Sequence, residues 1–197
     1  MTDFEQLESI AVMKNGVLTT ADVVEAGIAK TVLARFIRER RYERVYHGIY
    51  LSPDFWRDEW YLMQLRCPQI IYSHDNALFF HELTDREPLQ PIVTVKTGYN
   101  PSRLTADGVK VYTVKSELYE LGVTDTKTIF GNTVRTYNME RTICDIVRSR
   151  NTLDAQIFYD ALKQYVRKKE KNLPQLMKYA QVFHVDKMVG EYMRTLL

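Results

Sequence analysis

The stretch from Lys30 to Pro53, KTVLARFIRERRYERVYHGIYLSP, changes its period midway. Up to Arg38 the apolar residues Val32, Leu33, Phe36 and Ile37 recur at helical spacing and share one face. Lys30, Thr31, Ala34, Arg35 and Arg38 share the other. From Tyr42 the period falls to two. Tyr42, Arg44 and Tyr46 alternate with Glu43 and Val45, His47-Gly48 turns the chain, and Ile49-Tyr50-Leu51 returns. An amphipathic helix running straight into a hairpin leaves few folds open. Charge narrows them further. Lys30, Arg35, Arg38, Arg40, Arg41 and Arg44 lie inside the stretch and Arg57 just beyond, against Glu39, Glu43 and Asp54, while the whole chain carries only +2. Any role with nucleic acid therefore rests on this local patch.

The residues before the stretch supply two more helices. Phe4, Leu7, Ile10 and Ala11 are spaced for a first helix, which Asn15-Gly16 stops. Thr19-Thr20 cap a second, ADVVEAG, which Gly27 ends. The third runs from about Ala29 to Arg38. Three short helices and a tight hairpin are the order of a winged helix-turn-helix, whose second helix of the pair enters the DNA major groove. On that reading Lys30 and Thr31 approach base edges, where Lys or Arg can pair with guanine O6 and N7. Arg35 and Arg38 are placed for phosphates. Arg40 and Arg41 extend the basic face, and Arg44, Tyr46 and His47 lie on the wing beside the backbone or minor groove. Thr19 and Thr20 present hydroxyls or helix-start N–H groups to a phosphate. A charge run on an isolated amphipathic helix is ordinarily a solvated face. The order of capped helix, Gly27, basic helix and basic hairpin is what favours DNA.

The expected boundary falls near Pro53, giving a winged helix-turn-helix over 1–53 and a mixed sheet-and-helix domain over 54–197, an α+β chain with a helical C-terminus. Ser52-Pro53 cap a helix expected over roughly Asp54 to Arg66. IIYS reads as a strand and DNALFFHEL as a helix. PIVTVK and VKVYTVK are strands separated by the turn-rich TGYNPSRLTADG, and TKTIFGNTVRTY is a hairpin turning at Gly131-Asn132. From Met139 onward the pattern is helical.

This second part offers little catalytic chemistry. Arg141 and Asp145 share a helix face and can form an i,i+4 pair. Together with Glu140 they are either that structural bridge or a recognition surface for an antitoxin role. His74 and His81 have no third ligand at zinc spacing, so no metal is expected. Asp75 or Asp85 alone cannot hold Mg²⁺ for hydrolysis. Neither a glycine-rich phosphate loop nor a nucleophile–base set stands out, so the expectation is a non-enzyme without a cofactor. Lys163, Arg167 and Lys168, with Lys169 and Lys171, are either a solvated helix end favoured by its dipole or phosphate contacts that extend the DNA surface. The two cysteines, Cys67 and Cys144, are far apart and read as reduced. The acidic start MTDFEQLESI has no signal-peptide character and no segment is apolar enough to span a membrane, which points to the cytoplasm.

The run GVLTTADVVEAGIAKTVLARFIRERRYERVYHGIY resembles the N-terminal winged helix of AbiEi-type antitoxins from AbiE abortive-infection, type IV toxin–antitoxin, phage-defence systems. SHDNALFFHELTDREP, YNMERTICDIVRSR and the helices around Tyr179-Ala180 are similar to that family's second domain. Where relatives place a glycine at the end of the recognition helix, this chain has Arg40, so a left-handed cap there must be non-Gly, at about 1 kcal/mol. The resemblance implies an autorepressor that binds inverted-repeat operator DNA in its own promoter. It also implies a C-terminal domain that counters an AbiEii-type nucleotidyltransferase toxin without a stable complex. The alternative is a winged-helix regulator whose C-terminal domain binds a small ligand.

Overall fold

The computed structural model describes residues 1–197. The chain forms two compact units, one of Met1–Pro68 with Lys127–Thr133 and one of Gln69–Thr126 with Val134–Leu197. The fold is α+β in the expected order: helices with a small sheet, a mixed sheet, and a helical C-terminus.

In the first unit, α1 (Asp3–Met13) starts at a capping box. The Thr2 hydroxyl accepts from Glu5 N, and the Glu5 carboxylate accepts from Thr2 N at 2.8 Å. Gly16, at φ +82°, turns the chain into β1 (Val17–Thr19). Only glycine fits there, because a β-carbon would stand 2.4 Å from the Phe55 ring. Next come α2 (Thr20–Glu25), α3 (Lys30–Glu39), β2 (Glu43–Tyr46) and β3 (Ile49–Leu51). The strands form an antiparallel sheet in the order β1-β3-β2, with Val17 opposite Leu51. Leu7, Ala11, Leu18, Val23, Leu33 and Phe36 make the core under the helices. Each fully buried apolar side chain of this size contributes about 1.5–3 kcal/mol.

The helix expected from Asp54 begins later, as α4 (Glu59–Arg66). The Ser52 hydroxyl accepts from Asp54 N at 3.3 Å and holds a turn there, and Asp58 is the true cap, accepting from Tyr61 N. The other Asp58 carboxylate oxygen accepts from the Thr128 hydroxyl at 2.5 Å and the Asn132 amide at 2.8 Å. Asp58 is buried, so these bonds satisfy a carboxylate that would otherwise be costly. Leu62 of α4 packs with Val17, Ile49 and Leu51.

The second unit contains β4 (Ile71–Tyr72), α5 (Asp75–Phe80), β5 (Ile92–Lys96), α6 (Ser102–Ala106), β6 (Lys110–Val114), α7 (Ser116–Tyr119), β7 (Val123–Lys127) and β8 (Thr133–Tyr137). Its helical end is α8 (Met139–Arg148), α9 (Ala155–Arg167), α10 (Leu173–Val182) and α11 (Asp186–Leu196). The five strands run β6-β5-β4-β8-β7. The sheet is mixed: β4 is antiparallel to β5 and parallel to β8, and β5 is parallel to β6. The segment read as turn-rich holds α6. The Asn100 side-chain oxygen accepts from the Ser102 amide and hydroxyl and starts a helical turn after Pro101. Every residue from Glu140 to Val147 of α8 is buried, and Ile143, Cys144, Ile146 and Val147 join Phe158, Leu162, Leu176 and Val189 in the largest core. No helix is long and apolar enough to cross a membrane.

Candidate nucleic-acid interface

The basic face is built by how α3 is anchored. Leu33 and Phe36 are buried, and the Phe36 ring meets Phe4 edge-on at 5.1 Å and Tyr42 at 5.4 Å. With that stripe fixed inward, Lys30, Thr31, Ala34, Arg35 and Arg38 are all exposed. The helix ends with Arg40 at φ −91° and Arg41 at φ +57°. Tyr42 N bonds back to Ile37 O at 3.0 Å, which is the six-to-one bond of a Schellman cap. The left-handed residue expected at Arg40 is therefore Arg41. Its conformation costs about 1 kcal/mol and leads the chain directly into β2.

The cations divide by partner. Arg35 lies 3.9 Å from Glu39 and over the Phe4 ring at 4.9 Å, and Arg40 pairs with Glu8. Arg57 is held by Glu43 and Glu59. Lys30, Arg38, Arg41 and Arg44 are exposed and make no ion pair. Uncompensated exposed cations in one compact unit are what a polyanion requires.

The wing turns at His47-Gly48, with His47 exposed, and its register slips between Arg44 and Tyr46. Thr20 N donates to Gly48 O at 2.8 Å and ties the start of α2 to that turn. Thr19 and Asp22 form a reciprocal capping box. The amides of Thr19 and Thr20, expected to be free for a phosphate, are thus bonded within the unit. Asp22 is buried and pairs with Lys14.

The other predicted residues lie in the second unit. Glu140, Arg141 and Asp145 are only 6, 1 and 4 % exposed, which corrects their reading as a recognition surface. The i,i+4 bridge does form, with Arg141 Nε donating to Asp145 Oδ2 at 3.0 Å. Glu140 accepts from the Tyr165 hydroxyl and Asn172 N, so it joins α8 to the start of α10. Arg141 Nη1 donates to Leu118 O and Leu121 O, and its guanidinium lies 4.0 Å from the Tyr137 ring centre and 4.2 Å from that of Phe183. Gly122 clears its path, since a β-carbon there would sit 2.7 Å from Arg141 Cβ. Burial pushes the Asp145 carboxyl up, opposed by Arg141 and Arg148. Lys163 and Arg167 are exposed, and Lys168 pairs with Glu82 at 2.9 Å. His81 is bonded to Tyr137 O, and no three His, Cys, Asp or Glu side chains converge. Both cysteines are free and buried, and burial pushes the Cys144 thiol up to about 12.

One constellation was not read from sequence. His74, Ser73, Thr94, Tyr112 and Ser149 meet beside Arg141 and Arg148. The signal available was the polar SHD run directly after an apolar strand.

The first unit is thus a winged helix-turn-helix module whose outer helix face is basic. Residues 5–53, from α1 through β3, match a family described as transcriptional regulator, AbiEi antitoxin. No curated protein matches the chain.

Proposed function

We propose that the chain is a DNA-binding autorepressor and antitoxin of the type IV class. Its winged helix, residues 1–53, reads inverted repeats in its own promoter, with Lys30 and Thr31 at base edges and Arg35, Arg38, Arg40, Arg41, Arg44 and His47 along the backbone. Residues 54–197 counter an AbiEii-type nucleotidyltransferase toxin without forming a stable complex. The chain is cytoplasmic and non-enzymatic. The observation that carries the reading is the exposed, unpaired set of Lys30, Arg38, Arg41 and Arg44, two on the helix and two along the exit and wing. Thr19 and Thr20 act by fixing α2 and the wing, because their capping groups are used internally.

The test is a gel-shift titration on the DNA upstream of the gene, at fixed salt. Lys30→Ala should lose about 1–3 kcal/mol of operator affinity and alter base preference. Arg38→Ala should weaken binding to all sequences alike. Unchanged affinity in both variants would remove α3 from the interface.

A further inference from the structure

A polar cavity of about 150 Å³ lies in the second unit, lined by His74, β5, β6 and one side of α8. At about 30 Å³ per water it has room for roughly five, or for one tetrahedral oxyanion and its shell. Three features set it apart from a packing void. Arg141 is 1 % exposed and lines it, a fully enclosed guanidinium with hydrogen bonds from Nε and Nη1. The Tyr112 hydroxyl is buried and has no partner. A buried donor left unpaired costs about 1–3 kcal/mol, so native proteins rarely keep one without use.

The third feature is strain. His74 sits at φ +51°, ψ −124°, where a residue bearing a β-carbon pays of order 1–3 kcal/mol. Surrounding contacts hold it there. Its ring nitrogens each lie 3.1 Å from a hydroxyl, those of Ser73 and Ser149, and the ring stacks on Tyr112 at 3.7 Å. Strained backbone of this kind clusters at ligand sites.

The charge selects the ligand. Arg141 and Arg148 both line the cavity, against one carboxylate, Asp145, which already receives both at 3.0 and 3.8 Å. Lys110 Nζ adds a further cation 5.2 Å from the Tyr112 ring. Guanidinium forks match phosphate oxygens better than any other common group. Arg148 also lines an adjoining cleft of about 430 Å³ with apolar walls at Leu118, Val182 and Phe183. We propose that the cavity binds a phosphoryl dianion, through Arg141, Arg148 and the Tyr112 hydroxyl. The cleft beside it accepts the organic part when the phosphoryl group is esterified. This site lies in a different unit from the basic face of α3 and does not depend on operator binding.

The experiment is calorimetric titration of the full chain with inorganic phosphate and, separately, with adenosine 5′-monophosphate. Saturable binding of one or both supports the site. Phosphate alone identifies the free ion as the source, and a tighter ester identifies a ligand that extends into the cleft. Arg148→Ala should weaken binding about tenfold or more, as loss of a charge-assisted bond requires. Tyr112→Phe should weaken it a few-fold, and Arg148→Lys should fall between wild type and Arg148→Ala. Arg148 is 44 % exposed at its side chain, so these variants should keep the wild-type circular dichroism. No saturable heat from either probe at millimolar concentration would show a solvent-filled void. Undiminished binding in a folded Arg148→Ala chain would place the anion elsewhere. Either result overturns the proposal.

Discussion

On α3, Lys30 and Arg38 stand exposed with no ion partner, while on α8, Arg141 is enclosed, bonded to Asp145 and two carbonyls, and stacked between Tyr137 and Phe183. The helices have the same length, ten residues, and both are strongly amphipathic. They differ in what satisfies the charge. An exposed cation keeps its hydration and adds almost nothing to stability, so its energy is available to a ligand. A buried cation must be satisfied by the protein itself, so its first effect is on folding. Substitutions in the two helices should therefore separate cleanly into binding effects and stability effects.

The largest effect should come from breaking the interior pair. Asp145→Asn keeps the shape but leaves Arg141 charged and buried without its counter-ion. Loss of one partner from such a pair costs about 3–5 kcal/mol. The denaturant midpoint of the second unit should fall accordingly, while Arg38→Ala should stay within about 0.5 kcal/mol of wild type. A small shift for Asp145→Asn would mean that the cavity admits enough solvent to replace the carboxylate.

Next comes pH. Burial, with Lys110, Arg141 and Arg148 nearby, holds the His74 imidazole down at about 3, against an ordinary value of 6.5. The unfolded chain binds the proton first, so stability is full above pH 6.5 and is lost as pH falls from there towards 3. Burial also lowers His81, which acts in the same direction, while Asp145 is raised and acts in the opposite one. The measurement is thus a difference between wild type and His74→Asn, because Asn keeps a hydrogen-bonding side chain and does not titrate. Wild type should lose up to a few kcal/mol more than the variant across that window. Parallel curves would mean that His74 is not held neutral.

Smaller again is Arg41→Gly. It relieves a left-handed non-Gly residue worth about 1 kcal/mol, less what glycine adds to the freedom of the unfolded chain. Stability should rise by a few tenths to about 1 kcal/mol, while operator binding loses one cation. A variant that is more stable and binds DNA less well would show that strain at the exit of α3 is kept for position and charge.

These contrasts follow from what sequence can carry. The first unit was legible because its signals are local: the helical period of Val32, Leu33, Phe36 and Ile37, the Thr19 cap, and the His47-Gly48 turn all lie within a few residues of what they determine. The start of α4 was misplaced because Ser52 and Asp58 both look like caps; Ser52 holds the turn at Asp54, while Asp58 caps the helix and is fixed by Thr128 and Asn132. The cavity was not legible. Its residues come from four segments between His74 and Ser149, and spacing along the chain does not report their convergence. Glu140, Arg141 and Asp145 left two readings open, a bridge or a surface, because charge is ordinarily exposed. Their burial rests on Tyr165, Asn172 and the carbonyls of Leu118 and Leu121, which no local pattern names.

The smallest expected effect is none, at Lys163, Arg167 and Lys168. If the first unit alone meets DNA, it neutralises roughly four to six phosphates, and log K falls against log salt with a slope of about −0.9 for each. Lys168 is already paired with Glu82, and Arg167 and Lys168 lie at the end of α9, where cations complement the helix dipole. Both facts account for Arg167 and Lys168 without DNA, and Lys163 is an exposed residue of the same helix. The triple alanine variant should therefore give the wild-type slope, while Arg41→Gly should reduce its magnitude by about 0.9. A reduction of about two or more in the triple variant would mean that DNA bends to reach α9, at a deformation cost of order 1–6 kcal/mol. In that case charge exposed on the second unit serves binding just as it does on the first, and the line between the two ways of using charge would run between surface and interior.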